Sequence, residues 1–194
     1  MERRSSTSFP IRCIVCLVCL LPFYFGLFTT GGRVLCGCCF CRYVRAYSRP
    51  VKNDFRFYHQ LRVRFAETDM QGIVFNGNYL TYYDVAWTEY LRAMGIQWKD
   101  LINIGADTVL ARTTMEFKAP ARFDEVLEVY TRVSKIGNTS LTFEFEIYVQ
   151  GEERLLGAAS SLYVCTDPQT LRPVRVPDEL RSRIAEFEGK PFET

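Results

Sequence analysis

Beyond residue 55, apolar and polar positions fall into runs of two different periods. The segment 56–66, Arg-Phe-Tyr-His-Gln-Leu-Arg-Val-Arg-Phe-Ala, alternates in its second half, the period-2 signature of a half-buried strand. The period then changes. Tyr79, Leu80, Tyr83, Trp87, Tyr90, Leu91 and Met94 recur three and four residues apart and Gly95 follows as a stop, which predicts one long, heavily aromatic helix. Alternation returns in four further strands near 107–117, 125–135, 139–150 and 153–166, separated by turn signals at Pro120, Gly137-Asn138 and Gly151. In the third of these, Leu141, Phe143, Phe145, Ile147 and Val149 share one face and Thr142, Glu144, Glu146 and Tyr148 the other. Pro177-Asp178-Glu179 opens a short helix to about Phe187. A single helix with a broad aromatic face needs a concave apolar partner. The expectation is an α+β domain: a five-stranded antiparallel sheet wrapped around one long central helix, with a short C-terminal helix.

Composition divides the 194 residues near residue 50. Residues 1–51 carry seven arginines and one acid, whereas the remainder carries 17 basic and 21 acidic side chains. A mildly acidic body lacks the basic face that phosphate backbones require, so no nucleic-acid partner is expected. Seven of the eight cysteines lie in the same first part: Cys13, Cys16, Cys19, Cys36, Cys38, Cys39 and Cys41. Only Cys165 follows. No histidine accompanies the clustered cysteines, so no metal site is expected there. From Cys13 to Gly32 there are 20 uncharged residues flanked by arginines, barely enough to span a bilayer and interrupted by Pro22 and Gly26. Two readings of residues 1–50 stand: a signal or membrane anchor, or an extension produced by a start codon assigned too far upstream. Residues 51–194 form the folded domain on either reading. It is cytoplasmic on the second, and membrane-associated or exported on the first, with membrane contact only if residues 13–32 are retained.

The chemistry centres on Asp69-Met70-Gln71-Gly72-Ile73-Val74-Phe75-Asn76-Gly77-Asn78-Tyr79, which joins the first strand to the long helix. Gly72 lets the backbone turn sharply after Asp69. The helix that follows presents first-turn N–H groups without internal partners, at the positive end of its dipole. This segment, with Arg62-Val63-Arg64-Phe65-Ala66-Glu67-Thr68 before it and Glu89, Leu91 and Gly95 after it, resembles the active-site region of the 4-hydroxybenzoyl-CoA thioesterase family of hotdog proteins. The resemblance extends more loosely to Pro120-Ala121-Arg122-Phe123 and the later strands. It implies an acyl-CoA thioesterase in which the carboxylate at Asp69 attacks the thioester carbonyl or activates a water. The backbone N–H at the position matching Asn76 then polarises the carbonyl. The Tol-Pal-associated branch of the family carries His where this chain has Asn76, so a His-assisted mechanism is not carried over. The competing reading of Asp69 is a turn aspartate that accepts local backbone hydrogen bonds. Asn78 is expected to cap the helix and Tyr79 to pack in the core. Glu67 is expected either to face Asp69 or to sit at a solvent-facing strand end, and Asp84 and Glu89 to be solvated or at an interface.

Val74, Phe75 and Tyr83 are the candidates to contact the acyl group, and Lys118 and Arg122 to contact CoA, with Lys135, Arg172 and Arg175 as further cationic candidates. Pocket length depends on Tyr82, Tyr83, Trp87 and Tyr90. The one histidine, His59, lies ten residues before Asp69. No G-x-S-x-G, Walker loop or G-x-G-x-x-G occurs, so neither a serine hydrolase nor a nucleotide cofactor is indicated. No cofactor is expected beyond the CoA of the substrate. The resemblance implies a homodimer, or a homotetramer, with sites between protomers. The alternative is a hotdog module that binds acyl-CoA or a carrier-linked acyl chain without turning it over.

Overall fold

The structure, a computed structural model, describes residues 52–192. The expected extension 1–50, with its cysteines and apolar run, lies outside the described residues. The elements in chain order are β1 (Phe57–Arg62), α1 (Asn76–Ala93), α2 (Trp98–Asn103), β2 (Asp107–Phe117), β3 (Val126–Ile136), β4 (Ser140–Val149), β5 (Leu155–Thr166) and α3 (Asp178–Glu188). The strands form one five-stranded antiparallel sheet in the order β1-β3-β4-β5-β2. The chain therefore crosses the sheet between β2 and β3, and β2 and β1 are the two edges.

Alternation along the strands divides the sheet into two faces. On the inner face Leu127, Val129, Val133, Phe143, Phe145, Ile147 and Ala159 are buried. α1 lies across them with Tyr79, Tyr82, Tyr83, Ala86, Trp87, Tyr90 and Leu91 turned inward. Ring contacts join the layers: Tyr83 meets Phe145 at 5.1 Å, Tyr90 meets Phe143 at 5.6 Å, and Trp87 stacks on Tyr163 at 5.1 Å. Each fully buried large apolar side chain contributes roughly 1.5–3 kcal/mol, which makes this aromatic seam the main reason the helix docks. Gly157 permits the close approach, since a Cβ there would lie 3.2 Å from the Tyr83 hydroxyl and 3.1 Å from the Glu116 carbonyl.

α3 closes one end of the core through Leu180 and Ile184. Its last residue, Glu188, is buried and accepts hydrogen bonds from the Tyr90 hydroxyl (2.6 Å) and the Val133 N–H (2.8 Å), where the β3–β4 register slips. On the outer face, residues 52–55 lie against the sheet. The Lys52 amine sits 4.6 Å from the Tyr148 ring centre and Phe55 packs edge-on to Tyr130.

Two elements differ from the period analysis. The first strand ends at Arg62 instead of running to residue 66, because Val63 exchanges backbone hydrogen bonds with Asp124 and Glu125 and the chain then turns through a 3-10 segment, Phe65–Glu67. α2 was not expected. Its six residues are too few to display a helical period, and it is closed by the Asp100 carboxylate accepting the Gln97 N–H at 2.7 Å.

Candidate active site

The loop between β1 and α1 folds back on itself. Thr68 and Val74 form a bridge, the Asp69 N–H donates to the Ile73 carbonyl (2.9 Å), and the Gly72 N–H donates to the Asp69 carbonyl (2.9 Å). Gly72 has φ of +70°, a conformation that costs an L side chain roughly 1–2 kcal/mol, so the turn depends on glycine there. One oxygen of the half-buried Asp69 carboxylate accepts the Gln71 N–H at 2.8 Å, the local bond that a turn aspartate makes. Its other oxygen has no hydrogen-bond partner among the described residues.

The loop leads directly into α1. Phe75 occupies the N-cap position in an extended conformation, and its side chain offers no acceptor, so the N–H groups of Asn76 and Gly77 receive no side-chain cap. The expected capping by Asn78 is corrected here. Asn78 lies inside the first turn, and its amide donates instead to the Glu67 carbonyl at 2.8 Å, because the loop returns to within reach of it. Tyr79 is buried as expected, and its hydroxyl accepts the Ala121 N–H at 3.2 Å.

Beside this helix start lies a cavity of about 270 Å³ lined by Ile73, Val74, Asn76, Tyr79, Phe117, Lys118, Ala119 and Pro120. It brings together three residues singled out from sequence, Val74, Asn76 and Lys118, while Asp69, Gly72 and Phe75 belong to the adjoining loop. A larger hollow, about 580 Å³, sits at the opposite end of α1 among Trp87, Leu91, Ile96 and Trp98. It shares no residue with the segment 69–79, whereas the smaller cavity is lined by Ile73, Val74 and Asn76 of that segment and is therefore the candidate site.

The remaining candidates separate. Lys118 pairs with Glu116 at the end of β2, and Arg122 stands exposed in the loop beyond it, with its N–H bonded to Glu125 at 2.8 Å. Tyr83 is only 2% exposed and packs against Phe145 inside the domain, so it does not line the cavity. Lys135, Arg172 and Arg175 stand apart from Lys118 in this chain. Phe117 pairs with Gly157 at the start of β5, but Asp107 pairs with Thr166 at its end, which Arg172 and Arg175 follow, while Lys135 on β3 pairs with Thr142 at the level of Leu162. Along the strands, nine residues put the level of Arg172 and Arg175 about 30 Å from Phe117 within one chain, and five residues put Lys135 about 17 Å away. Asp84 is exposed on α1, and Glu89 pairs with Arg92.

Two groups have more structural weight than their sequence context signals. Glu67 neither faces Asp69 as a like charge nor points to solvent. It is 8% exposed, and its carboxylate accepts from the Arg64 N–H (2.8 Å), the Arg64 guanidinium (2.7 Å) and the Tyr82 hydroxyl (2.7 Å). Burial by itself would raise its pKa, yet these donors outweigh it and hold Glu67 below the usual carboxylate range. The same contact, together with burial, pushes the Tyr82 hydroxyl well up. The only sequence hint was the three-residue spacing from Arg64, that of a helix-start box. Arg154, on the turn before β5, reaches Glu125 (2.7 Å), Glu152 (3.0 Å) and the Pro120 carbonyl (3.3 Å), and so braces the loop that carries Arg122. Glu152 is a near neighbour, but nothing local to Arg154 announces Glu125 or Pro120.

A family model described as the thioesterase-like superfamily matches residues 63–184. YbgC of Escherichia coli, an acyl-CoA thioester hydrolase, is 36% identical over 135 residues, which is 70% of this chain and 98% of its own. Among solved structures, a Thermus thermophilus thioesterase crystallised with coenzyme A and zinc superposes with a TM-score of 0.62 at 25% identity, over 72% of this chain and 98% of that one. A 1,4-dihydroxy-2-naphthoyl-CoA thioesterase from Synechocystis has a TM-score of 0.62 at 21% identity, over 67% and 96% of the two chains, a likeness of fold. Among the described residues no group of three or more His, Cys, Asp or Glu is arranged to hold a metal, and no helix is long and apolar enough to cross a membrane.

Proposed function

The chain belongs to the thioesterase-like superfamily, and from that premise we propose that it hydrolyses an acyl-CoA thioester to the free acid and CoA. The observation that carries this reading is the Asp69 carboxylate, with one oxygen tied into its turn and the other without a partner among the described residues, on a loop that leads into a helix N-terminus with no side-chain cap. The thioester carbonyl oxygen takes the Asn76 N–H, where the helix dipole and an open donor favour developing negative charge. Asp69 then acts in one of two ways. It attacks the carbonyl carbon, expelling CoA thiolate and leaving an anhydride that water cleaves, or it takes a proton from the water that attacks. A thioester suits so small an apparatus, because its carbonyl is weakly resonance-stabilised and thiolate leaves readily.

Val74 and the walls of the cavity hold the acyl group near the carbonyl. Phe75 flanks the helix start, and Lys118 and Arg122 lie on the side from which the CoA phosphates approach. No metal or cofactor is needed for this chemistry. The protein works as a homodimer joined along β2, an 11-residue edge strand with Val109 45% and Phe117 48% exposed.

The test is thiol release from a panel of short, long and aromatic acyl-CoA thioesters. Asp69→Asn retains the fold and loses about 100-fold or more in kcat, the scale of a lost general base or nucleophile. Wild-type protein inert against the whole panel overturns the reading in favour of a binding module.

A further inference from the structure

We propose that Glu67 is the positioning residue of this site: it locks the Asp69 loop to α1 at two separate points and so sets where the carboxylate stands relative to the open N–H groups. The proposal rests on the reading of Asp69 given above.

The two ends of Glu67 do different work. Its backbone carbonyl accepts the Phe75 N–H (2.9 Å) and the Asn78 side-chain amide (2.8 Å), which fastens it to the cap and first turn of α1. Its carboxylate accepts the Tyr82 hydroxyl (2.7 Å), four residues beyond Asn78 on the same helix, about 6 Å along the axis. The same carboxylate closes its own turn by accepting the Arg64 N–H and guanidinium, with Nη2 at 2.6 Å. A residue held at two heights on one helix and at a third point on its own segment cannot rock, and Asp69 follows it by two positions.

Stability alone does not account for this arrangement. Removing a carboxylate from water costs nearly what its partners return, and an apolar side chain often serves a buried site as well. What a four-donor carboxylate supplies is a single geometry. Glutamine cannot reproduce it. With its NH2 toward Arg64 Nε it opposes the guanidinium, and with its NH2 in the other place it opposes the Arg64 N–H, so neither orientation satisfies every donor.

The experiment compares Glu67→Gln, Tyr82→Phe and Asp69→Asn by steady-state thiol release, with binding of a non-hydrolysable acyl-CoA thioether measured alongside. In folded Glu67→Gln, kcat falls about 10-fold or more, while KM and the thioether Kd stay within about threefold, because a small misplacement of a reacting group costs rate before it costs binding. Tyr82→Phe, which removes one anchor, falls part of the way. A folded Glu67→Gln with kcat within about twofold of wild type, beside an inactive Asp69→Asn, overturns the positioning role and leaves Asp69 standing. Wild-type rates in Asp69→Asn overturn both together. Equal losses in kcat and thioether affinity mark a general loosening and also overturn it. Should Glu67→Gln fail to fold, Tyr82→Phe decides, and an unchanged kcat there overturns the proposal.

Discussion

Asn76 enters the proposed chemistry through its peptide N–H alone, which makes it open to an unusual substitution. It is the first residue of α1, where proline is well tolerated, and Phe75 before it already has φ −61° and ψ 136°, the conformation a following proline demands. Asn76→Pro therefore deletes the donor with little disturbance to the helix. We expect unfolding temperature close to wild type and thioester hydrolysis reduced about 100-fold or more, the usual cost of one oxyanion donor. A variant that folds and turns over at the wild-type rate would remove Asn76 from the mechanism. At Gly72 the backbone requirement is of another kind, since space around it is open and only its φ of +70° resists a side chain. Asp69 makes the hydrogen bond of an ordinary turn with one oxygen while the second has no partner among the described residues, so the turn role and the proposed chemical role are compatible.

At the scale of elements, β4 carries a carboxylate in an unexpected place. Alternation puts Glu146 on the outer face of the sheet, where a solvated side chain is the natural expectation, yet it is 1% exposed beside the segment 52–55. Its carboxylate accepts the Tyr148 hydroxyl at 2.7 Å. Burial raises its pKa above the ordinary carboxylate value, more than Tyr148 and Arg132 lower it, with Glu144 and Asp54 adding to the rise. The sign follows directly. Between the unfolded and the higher folded pKa the folded state binds more protons, so this group's contribution to stability is greatest at low pH and is lost as pH rises through the folded value. Glu146→Gln keeps an acceptor for Tyr148 and removes that loss. Thermal unfolding of the variant should therefore lie above wild type near about pH 8, with the gap closing as pH falls toward about 4. A variant that melts lower at every pH would show that the charge stabilises the strand.

For the whole molecule the decisive feature is β2. As an edge strand it leaves a row of backbone groups unpaired, and Val109, Leu110 and Phe117 are 45%, 37% and 48% exposed along it. A second copy pairing there joins two sheets and covers these side chains. Val109→Lys places a charge on that edge, the device that natural edge strands use against pairing. Light scattering should report a dimer for wild type and about half that mass for the variant, with hydrolysis falling in parallel if the site is completed between protomers. A wild-type monomer at assay concentration would sink the dimer proposal.

Local physics was written plainly in the sequence. The strands at 107–117 and near 140–149, the aromatic helix and the turn at Asp69 to Gly72 each depend on side-chain period or backbone freedom over a few residues, and each appears where those properties place it. The loop and the helix start are adjacent in sequence, so the core of the candidate site was legible too. Tertiary structure decided what depends on the path of the chain across the sheet. It set β2 beside β5 and sent Arg172 and Arg175 to the far end. It also enclosed Glu67 between Arg64 and Tyr82, and Glu146 beneath residues 52–55. Tyr82 lies 15 positions from Glu67 and residues 52–55 lie far in sequence from Glu146, so no period encodes those contacts and only the short spacing of Arg64 and Glu67 was legible.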